Sequence, residues 1–134
     1  MNWGFTIAGI ISILTCVAHL GAGEYVLKKM PIERFVVLPK EDPTITKQTF
    51  RFVWHTLTVD FLVWGVVLLV LGATDWLEAS QVIGRLIAVC FTGYALVIAV
   101  LPMWSLRRVD TLFRAPQWML GVAIALLAYG GTIN

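Results

Sequence analysis

The sequence has few charged residues. Asp, Glu, Lys and Arg make up 13% of its 134 residues, whereas soluble domains have about a quarter. Hydrophobic residues make up 59% of the chain. This balance excludes an ordinary soluble domain, and we predict an integral membrane protein.

Cysteine and histidine are scarce too, with two of each. Cys16 and Cys90 lie far apart in apolar runs, so they form neither a disulfide framework nor a CxxC metal pair. We interpret both as small buried hydrophobes. No catalytic signature is present, so we predict that the protein is not an enzyme, and we expect no nucleic-acid partner.

The first apolar run lacks the marks of a cleaved signal peptide. MNWGFTIAGIISILTC contains no basic residue, and no small-x-small cleavage site follows it. We therefore predict that this run is a retained membrane-spanning helix.

Long apolar segments dominate the rest of the chain. A helix needs about 20 apolar residues to cross the hydrocarbon core, and four segments approach this length. The predicted helices cover residues 3–22, 51–72, 82–101 and 116–131. They use nearly the whole chain, which predicts one domain over residues 1–134.

The predicted fold is an all-α membrane protein, an up-down antiparallel bundle of four transmembrane helices. A long connection separates the first two helices. EYVLKKM at its start is able either to continue the first helix or to lie along the membrane interface. Asp42 before Pro43 is typical of a helix N-terminus. We therefore predict that this cytoplasmic loop is partly helical.

Basic residues are distributed unevenly among the connections. Nine of the ten lie after the first or the third predicted helix: Lys28, Lys29, Arg34, Lys40, Lys47, Arg51, Arg107, Arg108 and Arg114. The positive-inside rule assigns these connections to the cytoplasm. We predict a multi-pass protein of the bacterial inner membrane with both termini in the periplasm.

Small residues recur at helical spacing along three of the predicted helices. The sets are Gly4, Ala8, Ser12 and Cys16; Gly84, Ala88, Thr92, Ala95 and Ala99; and Gly121, Ala125 and Ala128. Small residues let helices approach closely where lipid supplies no hydrophobic drive for association. These faces predict compact packing, and any face left over is available for a homo-oligomer or a larger membrane complex.

Two histidines lie at similar predicted depth, His19 on the first helix and His55 on the second. With Glu24 just outside the boundary, they are candidates for a metal site, or for a haem clamped from both sides. The alternative is that each imidazole hydrogen-bonds to a neighbouring helix, as polar residues in membranes usually do. We favour the second interpretation and assign no cofactor.

Asp60 is the sharper candidate for a ligand or proton site. It lies about 13 Å below the boundary at helical rise. It shares a face with Thr56, and Tyr94 on the third helix reaches a comparable depth. A carboxyl at this depth serves either as the coupling group of a proton-linked transporter or as an anchor between helices. The sequence is compatible with both interpretations.

HLGAGE at residues 19–24 and RFVWHTLTVD at residues 51–60 resemble a pattern of small bacterial four-helix inner-membrane proteins. The resemblance implies a bacterial inner membrane and carries no activity with it. Our preferred hypothesis is a non-catalytic accessory or scaffold component surrounded by membrane lipids. The alternatives are a proton-coupled transporter using Asp60 and a haem or metal protein using His19 and His55.

Overall fold

The computed structural model describes residues 1–29, 43–74, 79–106, 113 and 117–133. Within these residues it has four helices and no strand: α1 (Trp3–Lys29), α2 (Pro43–Ala73), α3 (Ser80–Leu106) and α4 (Trp118–Gly131). Three of them, α1 to α3, are long and apolar enough to cross a membrane. The all-helical prediction is confirmed for the described residues, and the three long apolar helices are compatible with an integral membrane protein.

The helices are longer than their apolar cores. α1 continues to Lys29 instead of ending near residue 22, and α2 already begins at Pro43. Hydropathy marks the part of a helix that contacts lipid, whereas the backbone hydrogen bonds continue into polar sequence. Lys28 and Lys29 in the last turn of α1 also suit the negative end of its helix dipole. The middle of the predicted loop, residues 30–42, and Pro116 lie outside the described residues.

α1 and α2 run in opposite directions and touch along most of their length. The Asn2 N–H donates to the Gly72 carbonyl at 2.8 Å, near one end of the pair. At the other end, Glu24 contacts Arg51. The N-terminal end of α1 therefore lies beside the C-terminal end of α2, and the C-terminal end of α1 lies beside the N-terminal part of α2.

α3 and α4 form a second antiparallel pair. α1 also packs against α4 and so connects the two pairs. Gly84 at the start of α3 lies against Thr132, just after α4, and Gly121 at the start of α4 lies against Phe91. Gly4 of α1 packs directly against the backbone of Gly131. α2 and α3 make few backbone contacts, so larger side chains fill the space between them.

A hydrophobic core receives side chains from all four helices. Phe91, Leu68, Ile87 and Ile124 are fully buried at its centre. Small residues from the predicted faces, such as Ala8 and Ala128, also point inward. The outer surface carries many exposed aliphatic side chains, as expected of helices that face lipid.

Candidate functional site

The polar side chains between α1 and α2 form three successive layers, which we call the polar seam. It contains Glu24, His19 and Ser12 from α1 and Arg51, Trp54, His55, Thr58 and the Phe61 carbonyl from α2. It begins near the end of α1 and continues toward the middle of the bundle. Each layer ties the two helices together by at least one hydrogen bond.

The outermost layer is centred on the Glu24 carboxylate. Arg51 donates to it through Nε at 3.0 Å and Nη2 at 3.1 Å, a two-point pairing of guanidinium and carboxylate. His55 Nε2 lies 3.0 Å from Glu24 Oε1. The Glu24 side chain is 35% exposed, so this layer sits at the rim of the bundle.

The second layer joins the His19 residue to Trp54 and Thr58. Trp54 Nε1–H donates to the His19 backbone carbonyl at 2.8 Å, and the two rings stack with centroids 4.3 Å apart. His19 Nδ1 lies 2.8 Å from Thr58 Oγ1. The Thr58 hydroxyl also donates to the Trp54 carbonyl of its own helix at 3.2 Å. Gly23 makes room for the indole, because a Cβ at that position would overlap Trp54.

The third layer is a single buried hydrogen bond. Ser12, with no exposed surface, donates through its hydroxyl to the Phe61 carbonyl at 2.8 Å. An unpaired hydroxyl would be costly at this depth. The bond therefore satisfies Ser12 and fixes the register of α1 on α2.

Asp60 lies outside the polar seam and faces α3. Tyr94 donates through its hydroxyl to Asp60 Oδ2 at 3.2 Å. Tyr94 also packs edge-on against Phe91, with ring centroids 5.8 Å apart. The structure therefore brings together Asp60 and Tyr94 from the predicted candidates.

Thr56 is not part of this pairing. Its side chain is exposed, and its hydroxyl donates to the Phe52 carbonyl of the same helix. A threonine that bonds four residues back satisfies itself without contacting another helix.

The two candidate metal ligands have different partners. His19 contacts Thr58 and stacks on Trp54, whereas His55 contacts Glu24. Within the described residues, no three His, Cys, Asp or Glu side chains gather as a metal site would require. The use of His19 and His55 for a metal or haem stays a prediction.

The sequence interpretation missed several residues of the polar seam, notably Arg51, Trp54 and Thr58. From sequence, Arg51 serves only to indicate topology and the boundary of the second apolar run. Trp54, Thr58 and Phe61 are spaced four and three residues apart, which puts them on one helical face. That spacing is the sequence signal for a shared helical face, but it is hard to recognise because most residues of the segment are apolar.

The contacts of the polar seam suit helix bridging. Across the described part of the chain, no buried side-chain nitrogen or oxygen lacks a hydrogen-bond partner. Comparison of the chain with protein-family models, with curated proteins and with solved structures finds no match. The resemblance to small bacterial inner-membrane proteins thus stays a prediction.

Proposed function

We propose that this chain is a non-catalytic accessory or scaffold component of the bacterial inner membrane. The observation that supports the proposal is the polar seam, in which the polar atoms of α1 and α2 hydrogen-bond to one another. Polar side chains in membrane helices commonly serve as such bridges. In this proposal, His19, His55 and Asp60 hold helices together and bind no ligand.

The proposed arrangement is an up-down antiparallel bundle with both termini in the periplasm. The opposite directions of α1 and α2, and of α3 and α4, support it. The basic connections after α1 and α3 support a cytoplasmic position for that end of the bundle. The Glu24 and Arg51 layer would then lie near the cytoplasmic headgroups, where a charged pair is tolerated.

Reporter fusions test this orientation. Alkaline phosphatase fused after Asn134 should be active, because that enzyme matures only in the periplasm, and green fluorescent protein at the same position should be dark. The same reporters inserted between residues 30 and 42 should give the reverse pattern. A fluorescent fusion after Asn134 would contradict the proposed topology.

Ligand content tests the structural role of the two histidines. We expect the purified protein to have no haem absorption band and no bound metal, and His55→Gln to lower its melting temperature without altering the spectrum. A haem band or a stoichiometric metal that disappears in His19→Gln or His55→Gln would contradict the proposal.

The second candidate function is a proton-coupled transporter centred on Asp60. The observation that favours it is the position of Asp60 between α2 and α3, two helices whose backbones make few contacts, with Tyr94 as its partner. An acidic side chain within a membrane span is often part of a proton path. In this candidate function, the side chains between α2 and α3 would have to move apart to give protons a path to Asp60.

Proton uptake into proteoliposomes tests this candidate. The vesicles contain a pH-sensitive dye, and valinomycin with a potassium gradient imposes a membrane potential. A transporter predicts uptake that Asp60→Asn abolishes while the protein keeps its melting temperature. The scaffold function predicts the same low proton uptake with wild-type protein, with Asp60→Asn and with empty vesicles.

A further inference from the structure

An open groove runs along the outer face of the bundle between α3 and α4. Its volume is about 530 Å³, within the range of about 300–1,000 Å³ that is usual for ligand sites. Ala88 and Ala125 contribute small side chains to its lining, and Val89, Val122 and Leu126 are exposed along it. The groove is therefore almost entirely apolar along its length.

The groove has the dimensions and position of a site for part of a lipid chain. Its α3 residues extend from Arg85 to Thr92, about 10 Å at helical rise. Its open side faces outward, where lipid surrounds a membrane helix. The Thr92 hydroxyl donates to the Ala88 carbonyl of its own helix, so this residue leaves no unpaired donor in the lining of the groove.

Arg85 gives the groove one charged end. Its side chain is exposed and lies in the second turn of α3, within the apolar span. The ion pairs among the described residues join Glu24 to Arg51 and His55, and do not involve Arg85. An arginine in a span is costly unless it reaches the interface and meets an anion.

Arg85 also departs from the distribution of basic residues. The other nine lie between Lys28 and Arg51 or follow α3 in sequence, on the side that we propose to be cytoplasmic. Topology therefore does not account for Arg85. A guanidinium at an interface pairs best with a phosphate or a carboxylate, because its planar donors match their oxygens.

We infer that the groove binds one acyl chain of an anionic phospholipid whose phosphate pairs with Arg85. A second copy of the chain fits less well. A two-fold dimer about an axis along the membrane normal would bring both Arg85 residues to the same depth, and the like charges would repel. The inference goes beyond the scaffold role, and rests only on the membrane placement proposed above.

Photo-crosslinking in vesicles tests the inference. The protein is reconstituted in phosphatidylcholine that contains a small fraction of phosphatidylglycerol with a diazirine in its acyl chain. Mass spectrometry then locates the labelled residues. We expect labelling concentrated at Val89, Val122 and Leu126, and a fall of about fivefold in Arg85→Gln, since one basic residue contributes roughly this factor to binding anionic lipid.

Matched variants separate the effect of the Arg85 charge from the effect of the shape of the groove. Lys47→Gln removes one positive charge elsewhere and should leave the groove labelling unchanged. Thr92→Phe should fill the groove and abolish its labelling. Val97→Phe adds the same ring to an exposed position about 140° away around α3 and should leave the labelling of the groove unchanged.

Three results would overturn the inference. One is labelling spread evenly over the lipid-facing side chains of all helices. Another is equal groove labelling by the phosphatidylcholine probe and by the phosphatidylglycerol probe. A third is crosslinking between two chains through the groove, which would assign it to a second copy. A chain that is not a membrane protein would give a different result from these three, because it would not reconstitute into the vesicles at all.

Discussion

The two ends of the bundle are held together by different kinds of contact. At the polar seam, side chains span the distance between α1 and α2 by hydrogen bonds. At the opposite end, which we call the glycine end, Gly4, Gly72, Gly84 and Gly131 let backbones and the Phe5 ring pack without intervening side chains. Asn2 supplies the main polar link there, donating to the carbonyls of Gly72 and Gly131.

This difference has a physical cause that both ends share. In lipid, helices gain little from burying apolar surface, so they associate through close packing or through hydrogen bonds. The helices associate through close packing at the glycine end and through hydrogen bonds at the polar seam. Packing against backbone is rigid, whereas a hydrogen-bonded side chain is able to rotate away. We therefore expect substitutions at the glycine end to have larger effects than those at the polar seam.

The largest effect is expected from Gly72→Ala at the glycine end. A Cβ at this position would lie 2.7 Å from the Thr6 backbone nitrogen, which cannot move without shifting α1. Overpacking of this kind costs about 1–3 kcal/mol. Thermal unfolding in detergent, followed by circular dichroism, measures the loss. Gly93→Ala is the control, because nothing lies within 4 Å of its new Cβ, and it should keep or slightly raise the melting temperature.

A smaller effect is expected from Gly23→Ala at the polar seam. The new Cβ would overlap the Trp54 indole, a side chain that is able to turn aside. The cost is then about 1 kcal/mol, mainly the lost hydrogen bond from Trp54 to the His19 carbonyl. Gly21→Ala, with nothing within 4 Å of its Cβ, is the matched control in the same assay. Equal melting temperatures for the two variants would contradict the role of Gly23.

The smallest effect is expected from Glu24→Gln in the outermost layer. Arg51 is 44% exposed, and exposed ion pairs contribute little to stability. We expect a slight fall in melting temperature at low salt that disappears at high salt, where the wild-type ion pair is screened. A large fall that salt does not change would show that this layer is more deeply buried than the geometry indicates.

Sequence reasoning found the helices because long apolar runs are unambiguous. The apolar runs alone put helix ends near residues 22 and 51, since hydropathy reports contact with lipid and not the extent of helical hydrogen bonding. The signals for the longer helices that extend to Lys29 and from Pro43 were EYVLKKM and Asp42 before Pro43. It named Glu24, His19, His55, Asp60 and Tyr94 as polar candidates and put Tyr94 at the depth of Asp60, where the two side chains pair. It did not pair Glu24 with Arg51, or His19 with Trp54 and Thr58. The pairing of Glu24 with Arg51 depends on the register of α1 against α2, which no local pattern in either helix determines.

The glycine end was also only partly predictable. Spacing alone identified the face that contains Gly4, but the sequence gives no sign that Gly131 is its partner. Gly72 was visible only as the end of an apolar run. Its close approach to Thr6 is a property of the assembled helices.

The most direct test of the proposed bridging role is a double-mutant cycle on Asp60 and Tyr94. Melting curves of wild type, Asp60→Leu, Tyr94→Phe and the double variant give the coupling free energy between the two side chains. If the pair is a bridge between helices, the coupling should be favourable, at about 0.6 and up to about 1.7 kcal/mol. A coupling of zero would contradict the account, because the hydrogen bond from Tyr94 to Asp60 would then contribute nothing to holding α2 against α3.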